Sequence, residues 1–497
     1  MSKNELHIKQ ILGSAYEAIK NRDYKTGKDL LEKVVKINPN IPEVINDLGL
    51  LNLNLENYDK AIELLEKAIQ LKPDFSLALN NLGNALMKKK KFDEAIKNYK
   101  KAIDADIKNS HAYYNLATLY FKKNEIKNAK KYFNLAIQLS PKLISAYINL
   151  FELYDKSNQT ENLKKVLNKA KDIFETDPLI DFFSGIYQFK KKNYYEVVRI
   201  LDKVELNKND RKRNSVKNEI LAKSYDHIGS FNQAYEYFKK SNDTINDLAK
   251  EKFDKNIFIN LVKKRMEFFK SFNFKNWGSL KISKKSDDPI FLVGFPRSGT
   301  TLLDTILRSH QSIEVLEERP IIDKFIKYLE KKINNDLSNL NKIDENLCEE
   351  MRNVYFNERN NFINFDKNKI YIDKMPLSIV HVGELVRIFP NSKFIFALRH
   401  PCDTVLSCFM QNFSLNNAML NFTNLNDATY LYNLVMSLWS QYSKFFKSNL
   451  HTIKYEEVVN NFDKSVRELL EFLNLEWSDD VKDFYKTASK REIINTP

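Results

Sequence analysis

Two structural classes are predicted for this chain: an all-α array of repeated helix pairs in its N-terminal half and an α/β domain with a mainly parallel sheet in its C-terminal half. The first prediction rests on residues that recur every 34 positions through the first 150 residues. The second rests on a short apolar run rich in β-forming residues, at 290–295, which leads into a glycine-bearing turn and a helical pattern. Only 10 glycines in 497 residues suit helices better than turn-rich β structure, and this length exceeds one ordinary domain.

The 34-residue period is carried by several residue types in a single register. Each unit predicts two antiparallel helices, because alanine or glycine permits a close helix crossing, leucines and an aromatic ring fill the remaining space, and proline ends the second helix. The recurring positions are Leu48, Leu82, Leu116 and Leu150; Gly49 and Gly83; Ala61, Ala95 and Ala129; Ala68, Ala102, Ala136 and Ala170; Tyr24, Tyr58 and Phe92; and Pro39, Pro73 and Pro141.

This pattern resembles the tetratricopeptide repeat. Weaker units follow around Gly185 and Gly229, so six or seven repeats are expected over residues 1–245. The resemblance implies a superhelix with a concave surface, which either binds a peptide or protein partner or serves only as a scaffold or dimerisation arm. Residues 246–288 pass from lysine-rich helical sequence to a polar stretch and are expected to form a helical linker.

The composition and net charge of the chain exclude only a few classes of protein. The formal net charge of +14 attracts anions, but the lysines are spread along the chain, and runs such as Lys88–Lys91 and Lys190–Lys192 are expected to be solvated helix faces. Nucleic acid is therefore not the predicted partner. Three cysteines without metal-ligand spacing suit a reducing compartment. Because no signal-peptide pattern and no long uninterrupted apolar stretch is present, a soluble cytoplasmic protein without a membrane span is expected.

The turn after the apolar run has the composition of a phosphate-binding loop. Gly294 and Gly299 enclose four residues between a predicted strand and a predicted helix, a context in which backbone N–H groups bind an anion. The nucleotide P-loop carries lysine after its second glycine, whereas this sequence has Thr300 there, and its cation, Arg297, lies inside the loop. An ATP or GTP hydrolase is therefore disfavoured. The alternative without a ligand is an ordinary β–turn–α corner.

Two longer segments resemble one family of enzymes. FLVGFPRSGTTLLDTILRSH resembles the 5′-phosphosulfate-binding segment of sulfotransferases, in the form found in protein-tyrosine sulfotransferases and in bacterial enzymes with fused tetratricopeptide repeats. KFIFALRHPCDTVLSCFMQNF, about a hundred residues later, ends an apolar strand at Arg399 and places Ser407 eight positions further on. That pair resembles the family's 3′-phosphate clamp. Taken alone, Arg399 fits a structural salt bridge equally well; the two segments in order favour the family.

The resemblance covers residues 289–497 and implies 3′-phosphoadenosine 5′-phosphosulfate as the sulfuryl donor, with no metal required. Tyr455, in HTIKYEEVV, is expected to bond a phosphate oxygen or pack against the adenosine, while Glu456 is expected to be structural. The residues implied for nucleotide binding are Arg297, Ser298, Gly299, Thr300, Thr301, Arg399, Ser407 and Tyr455.

Three residues are implied as catalytic: Glu318, Lys374 and Arg297. Glu318, in SIEVLEERP, matches the family's glutamate base, with its neighbour Glu317 as the rival and an ordinary surface pair as the alternative. Lys374, in IYIDKMP, resembles a family lysine that, together with Arg297, would stabilise charge on the leaving phosphate; a solvated lysine is the alternative. His310 is expected to be a helix-end residue rather than the base.

The predicted function is sulfuryl transfer to an acceptor hydroxyl. A peptide tyrosine, held by the repeats, is one candidate acceptor, and glycan, lipid and small-molecule acceptors remain open. The sequence stops at REIINTP, where the family usually continues, so the domain is expected to lack its usual C-terminal end. Because of this expected missing end, a non-catalytic repeat adaptor with a relic nucleotide-binding domain is an alternative function. A P-loop kinase is a second, less favoured alternative.

Overall fold

The computed structural model of the protein describes residues 3–271, 288–445 and 447–490. The chain divides into two compact units. One comprises residues 1–210 with 223–231, and the other comprises residues 211–222 with 232–497.

The N-terminal part is a succession of helices in which each odd-numbered helix contacts the next one, as six consecutive pairs. Two further helices follow, α13 (Arg211–His227) and α14 (Phe231–Ala249). The paired helices are α1 (Lys3–Lys20), α2 (Tyr24–Ile37), α3 (Pro42–Asn54), α4 (Tyr58–Leu71), α5 (Ser76–Lys88), α6 (Phe92–Ala105), α7 (Ser110–Lys122), α8 (Ile126–Leu139), α9 (Ile144–Lys156), α10 (Thr160–Lys171), α11 (Pro178–Lys190) and α12 (Tyr194–Leu201).

The recurrent glycines lie where paired helices cross closely. A Cβ atom on Gly83 would lie only 2.5 Å from Cε1 of Tyr99, and one on Gly49 would lie 2.8 Å from Cγ of Leu65. The Tyr99 ring is fully buried, and its hydroxyl donates a hydrogen bond of 2.8 Å to Asn84. Glycine at these positions therefore makes room for the large side chain that fills the helix pair, as the sequence pattern predicts.

The second unit contains a five-stranded sheet whose neighbouring strands are all parallel. Its strands are β1 (Ile290–Gly294), β2 (Ile313–Glu317), β3 (Ile370–Lys374), β4 (Phe394–Leu398) and β5 (Leu450–Lys454), in the spatial order β2-β3-β1-β4-β5. Side chains alternate across the sheet, so Phe291 and Val293 join one core while Leu292 joins the other. Because both faces are covered, the central strands are almost continuously apolar.

Helices pack on both faces of this sheet. Side chains of α15, α17, α18, α19 and α21 form the core on one face, and those of α16, α22 and α23 pack on the other. The helices are α15 (Lys255–Ser271), α16 (Thr300–Arg308), α17 (Ile321–Lys332), α18 (Glu345–Asn360), α19 (Val382–Ile388), α20 (Pro401–Phe409), α21 (Leu425–Tyr442), α22 (Tyr455–Asn460), α23 (Phe462–Phe472) and α24 (Phe484–Lys490).

The predicted fold class, helical repeats followed by an α/β domain with a parallel sheet, is confirmed. Within the described ranges, none of the helices combines the length and the apolar character that crossing a bilayer requires.

Helix α15 falls inside the segment 246–288 that the sequence predicted as a linker. Its residues Ile259, Val262 and Phe269 are buried in the core of the second unit. This part of the segment is therefore packed against the sheet domain, while residues 272–287 lie outside the described residues.

Candidate functional site

Except for Ser407, which lies on α20, the predicted site residues lie at or shortly after the carboxyl ends of the five strands. Arg297 comes three residues after β1, and Lys374 is the last residue of β3. Glu318, Arg399 and Tyr455 directly follow β2, β4 and β5. Because the carboxyl ends of parallel strands meet at one edge of an open sheet, ligands usually bind there. The topology thus brings distant parts of the sequence to one edge.

The loop after β1 is tightly packed and has an unusual backbone. A Cβ atom on Gly294 would lie 2.7 Å from both the carbonyl oxygen of Ala397 and Oγ of Ser298. Arg297 and Gly299 have left-handed φ angles of 68° and 95°. Within the described chain, the buried Oγ of Ser298 has no hydrogen-bond partner. Such a turn at a helix N-terminus presents N–H groups to an anion.

Two arginines, a serine and a tyrosine form a basic cluster beside this loop. Nε of Arg297 donates a 3.0 Å hydrogen bond to Oγ of Ser407. Arg399 donates to the carbonyl oxygen of Arg297 at 3.4 Å, and its guanidinium lies 4.8 Å from the centre of the Tyr455 ring. The carboxylate of Asp403, at 3.8 Å, partly balances Arg399. Ser407 and Arg399 therefore both contact Arg297. Their action as a phosphate clamp stays a prediction.

The two residues that directly follow β5 contact the loop and the start of α20. A Cβ atom on Gly299 would lie 2.8 Å from Cδ2 of Tyr455, so the loop and the ring are in close contact. Oε1 of Glu456 accepts a 2.9 Å hydrogen bond from the backbone N–H of His400, at the start of α20. Partial burial acts to raise the pKa of Glu456, but this hydrogen bond and the charge of Arg399 hold the pKa below its usual value. Glu456 thus ties the ends of β4 and β5 together.

A buried ion pair lies on the other side of the site. Nζ of Lys374 is 2.7 Å from Oε1 of Glu318 and 3.2 Å from Oε1 of Glu317, and the lysine side chain is fully buried. The backbone N–H of Glu318 also donates to the carbonyl oxygen of Lys374 at 2.8 Å. Glu318 has a left-handed φ of 47°, a conformation that non-glycine residues seldom adopt. This geometry does not fit the alternative of a solvated lysine.

A cavity of about 650 Å³ connects these groups. Glu318 lines it, whereas the rival Glu317 does not. Ser298, Lys374 and Ser407 lie behind the lining side chains that they contact or neighbour. The predicted residues that line the cavity are Arg297, Gly299, Thr300, Thr301, Glu318, Arg399 and Tyr455.

Most of the cavity wall comes from residues that were not predicted as site residues. They lie mainly on α15, on α17, on Met375 and the 3-10 turn Pro376–His381 after β3, and on the segment between α20 and α21. Met375 and Phe413 belong to segments quoted above, but the sequence assigned no role to them, and the fold brings the others to the site. The main members are Phe258, Asp323, Met375, Ser378, His381, Phe413, Asn416, Asn417 and Met419.

His310 lies away from this cavity, just after α16. Its Nε2 is 3.1 Å from the carbonyl oxygen of Glu476, and its Nδ1 accepts a 3.1 Å hydrogen bond from the backbone N–H of Ser312. Both ring nitrogens therefore serve the local fold, and the prediction of a helix-end residue is confirmed.

The pKa of Asp373, a buried acid next to the site, differs strongly from its usual value. Burial raises the pKa of Asp373 to about 7; the charge of Asp323 adds to the rise, and a 3.0 Å hydrogen bond from the Tyr355 hydroxyl opposes it. In the described chain, Oδ1 of Asp373 has no hydrogen-bond partner. Between about pH 4 and pH 7 the folded protein therefore keeps a proton that the unfolded chain has lost.

This proton makes stability fall as the pH rises through that window. We expect Asp373→Asn, which does not titrate, to gain stability relative to the natural protein between pH 5 and pH 8. The upper limit is about 4 kcal/mol, from about three pH units at about 1.4 kcal/mol each. Urea unfolding monitored at pH 5, 6, 7 and 8 measures the difference. Parallel curves for the two proteins across this range would contradict the prediction.

The structure thus combines an α/β domain with a glycine-bearing loop and a basic cluster at the carboxyl edge of its parallel sheet, and comparison with known families narrows the class of domain. Residues 289–479 match the family model described as "Sulfotransferase family". Residues 53–90 and 83–124 match a "TPR repeat" model, and residues 110–143 match "Tetratricopeptide repeat". Both resemblances inferred from the sequence are thereby confirmed.

Several curated proteins are similar to part of the chain. An uncharacterized protein of Aquifex aeolicus is 30% identical over 210 residues, which are 41% of this chain and 27% of that protein. A protein-tyrosine sulfotransferase of Drosophila melanogaster is 23% identical over 219 residues, 42% of this chain and 41% of that enzyme. Protein-tyrosine sulfotransferase 2 of Gallus gallus is 24% identical over 203 residues, which are 39% of this chain and 52% of that enzyme. The chain thus spans between about a quarter and a half of the length of these relatives.

Among solved structures, that of MamA is similar over 33% of this chain and 97% of its own, with 24% identity and a TM-score of 0.30. A TM-score this low supports no further argument.

Proposed function

We propose that the C-terminal domain transfers a sulfuryl group from 3′-phosphoadenosine 5′-phosphosulfate to an acceptor hydroxyl, and that a tyrosine of a polypeptide is the favoured acceptor. The observation that carries the proposal is the convergence, on one cavity, of a phosphate loop with Arg297, a second basic group at Arg399, and the Glu318–Lys374 pair. The match to the sulfotransferase family and the similarity to protein-tyrosine sulfotransferases support it.

The sulfuryl donor carries two anionic groups, and the chain offers a separate set of hydrogen-bonding groups for each of them. The loop N–H groups, Arg297 and the unpartnered Oγ of Ser298 would bind the 5′-phosphosulfate. Arg399, whose buried Nε also has no partner among the described residues, would bind the 3′-phosphate together with Ser407. Tyr455 would pack beside the nucleotide. The orphaned Oγ and Nε atoms are the feature that fits this ligand, because buried polar groups normally have hydrogen-bond partners.

The donor supplies an activated sulfuryl group on a phosphate leaving group. In the proposed reaction the acceptor oxygen forms a bond to sulfur, the sulfur–oxygen bond to the 5′-phosphate breaks, and its electron pair stays with the phosphate. Glu318 would take the acceptor proton, held in place by its 2.7 Å contact with Lys374. Arg297 and Lys374 would stabilise the negative charge that builds on the leaving oxygen. The chain's part in this reaction is positioning and charge stabilisation.

The repeats would hold a protein partner, including the polypeptide that carries the acceptor, because stacked helical repeats present extended binding surfaces. The tetratricopeptide-repeat matches at residues 53–143 support this assignment.

Calorimetric titration of the full chain with adenosine 3′,5′-bisphosphate, in the absence of metal, tests the nucleotide. We expect binding that Arg399→Ala weakens at least tenfold, since it loses a charge-assisted contact of about 1.5–3 kcal/mol. Asp403→Asn, which leaves the cavity lining unchanged, is the matched control and should bind at least as well.

ATP with magnesium is the competing ligand in the same experiment. Preference for magnesium-ATP would replace the sulfotransferase with a kinase. Failure to bind either nucleotide would favour a non-catalytic adaptor.

A further inference from the structure

The helix α15 forms a wall of the cavity although it precedes the segment that matches the sulfotransferase family. Phe258, four positions into α15, lines the same cavity as Arg297 and Glu318. The family match begins only at residue 289. Part of the cavity wall is therefore built by a segment that the family model does not cover.

Buried contacts fix α15 in this position. Arg265 lies 2.7 Å from the carboxylate of Glu384, and both side chains are buried. Although burial favours the neutral acid, the charge of Arg265 holds the pKa of Glu384 at about 2, so the pair is ionised. Glu384 also lies 3.5 Å from Nδ1 of His381, a residue of the cavity wall. One buried ion pair thus anchors both the helix and a polar group that faces the cavity.

The segment between α20 and α21 is attached to the same helix. The backbone N–H of Asp254 donates a 3.0 Å hydrogen bond to Oδ1 of Asn417, and Nζ of Lys255 lies 2.6 Å from Asp427. The segment held in this way carries Phe413 and Met419, both in the cavity wall. Phe258 therefore lies on a helix that is held by ion pairs and a hydrogen bond, and it forms part of the wall of the cavity, here called the chamber.

Part of the wall of this chamber is apolar. The side chains that give it this character are Phe258, Met375, Leu377, Phe413 and Met419. A flat, apolar group gains free energy from burial between such side chains, whereas a sugar would lose hydrogen bonds to water without replacement. The groups proposed to bind the donor are charged or hydrogen-bonding, so the apolar part of the wall is assigned to the acceptor.

We propose that Phe258 is a specificity-determining residue: it forms the apolar wall against which the group carrying the acceptor hydroxyl packs. The inference rests on the proposed function, because it assigns the charged part of the cavity wall to the donor and the apolar part to the acceptor. The alternative is that Phe258 only packs against the adjoining core, which it also contacts. The two are separated by measuring ligand affinity and stability in the same variants.

The experiment titrates 2-naphthol, an aromatic hydroxyl probe, into the full chain with and without saturating adenosine 3′,5′-bisphosphate. We expect Phe258→Ala to weaken 2-naphthol binding on the order of tenfold or more, as removal of an apolar contact in a binding pocket does. The affinity for the bisphosphate should stay unchanged. Ile257→Ala, which changes an exposed neighbour on the same helix, is the matched control and should bind both ligands like the natural protein.

Phe258→Leu keeps most of the packing volume but removes the ring, so it should retain stability while 2-naphthol binding falls. Equal 2-naphthol affinity in Phe258→Ala, Phe258→Leu and the natural protein would overturn the proposal, as would preferential binding of N-acetylglucosamine. A natural protein that binds 2-naphthol through Phe258 but not the bisphosphate would support the apolar chamber and count against the proposed donor. The two failures are thereby distinguishable.

Discussion

Replacing Lys374 by methionine is expected to lower kcat by about a hundredfold or more, the scale observed when one preorganised donor to a developing negative charge is removed. Methionine preserves the length and apolar stem of the side chain but removes the ammonium that contacts Glu318 at 2.7 Å and Glu317 at 3.2 Å. The charge proposed to stabilise the leaving oxygen and the contact proposed to orient the base are lost together. Initial rates with radiolabelled 3′-phosphoadenosine 5′-phosphosulfate and a single-tyrosine peptide measure the effect.

A second lysine provides the control for the loss of an ion pair between β2 and β3. Lys369, just before β3, lies 3.3 Å from Glu314 of β2 and is partly exposed. Lys369→Met removes an ion pair between the same two strands at their opposite end, so kcat should change little, since exposed pairs contribute about 0–1 kcal/mol. A rate for Lys374→Met near that of the control would remove Lys374 from the mechanism.

The isosteric change Glu318→Gln is expected to lower kcat by about a hundredfold to ten-thousandfold, the usual contribution of a general base. Glutamine can still accept the hydrogen bond from Lys374 but cannot take up a proton. The structure offers a matched variant in the neighbouring residue, because Glu317 contacts the same Nζ atom yet does not line the cavity.

The comparison between the two glutamates decides the assignment. Glu317→Gln should retain most of the rate, and nucleotide affinity should be the same in both variants. A large loss in Glu317→Gln with a small loss in Glu318→Gln would transfer the role to the rival residue. Equal, small losses would leave the reaction without a carboxylate base at this position.

The sequence was sufficient for the fold class because two local patterns extend over many residues. The recurring glycines mark close crossings, as Gly83 against Tyr99 demonstrates. The apolar runs before Arg297 and Arg399 became the neighbouring central strands β1 and β4. Such a pattern is visible in the sequence alone, so it can be recognised without knowing which residues pack against it.

The remaining features depend on side chains that are distant in sequence. The contact between Lys374 and Glu318 follows from the pairing of β2 with β3, which no local pattern specifies. The hydrogen bond from Arg297 to Ser407 likewise arises only in three dimensions. The sequence predicted a helical linker at residues 246–288, but it did not indicate which core the helix α15 covers. Phe258 and His381 therefore could not be assigned to the site from sequence.

The left-handed backbone of Arg297 and Glu318 has a consequence for the evolution and engineering of this protein. Glycine adopts such φ angles without steric cost, whereas other residues carry about 1–3 kcal/mol of strain. At position 297, where the side chain is exposed, a selection for thermal stability alone would therefore favour glycine and discard the arginine. At position 318 glycine would also remove the contact with the buried Lys374, and that loss opposes the relief of strain. Variants at position 297 recovered from such a selection should be screened for turnover as well as for melting temperature.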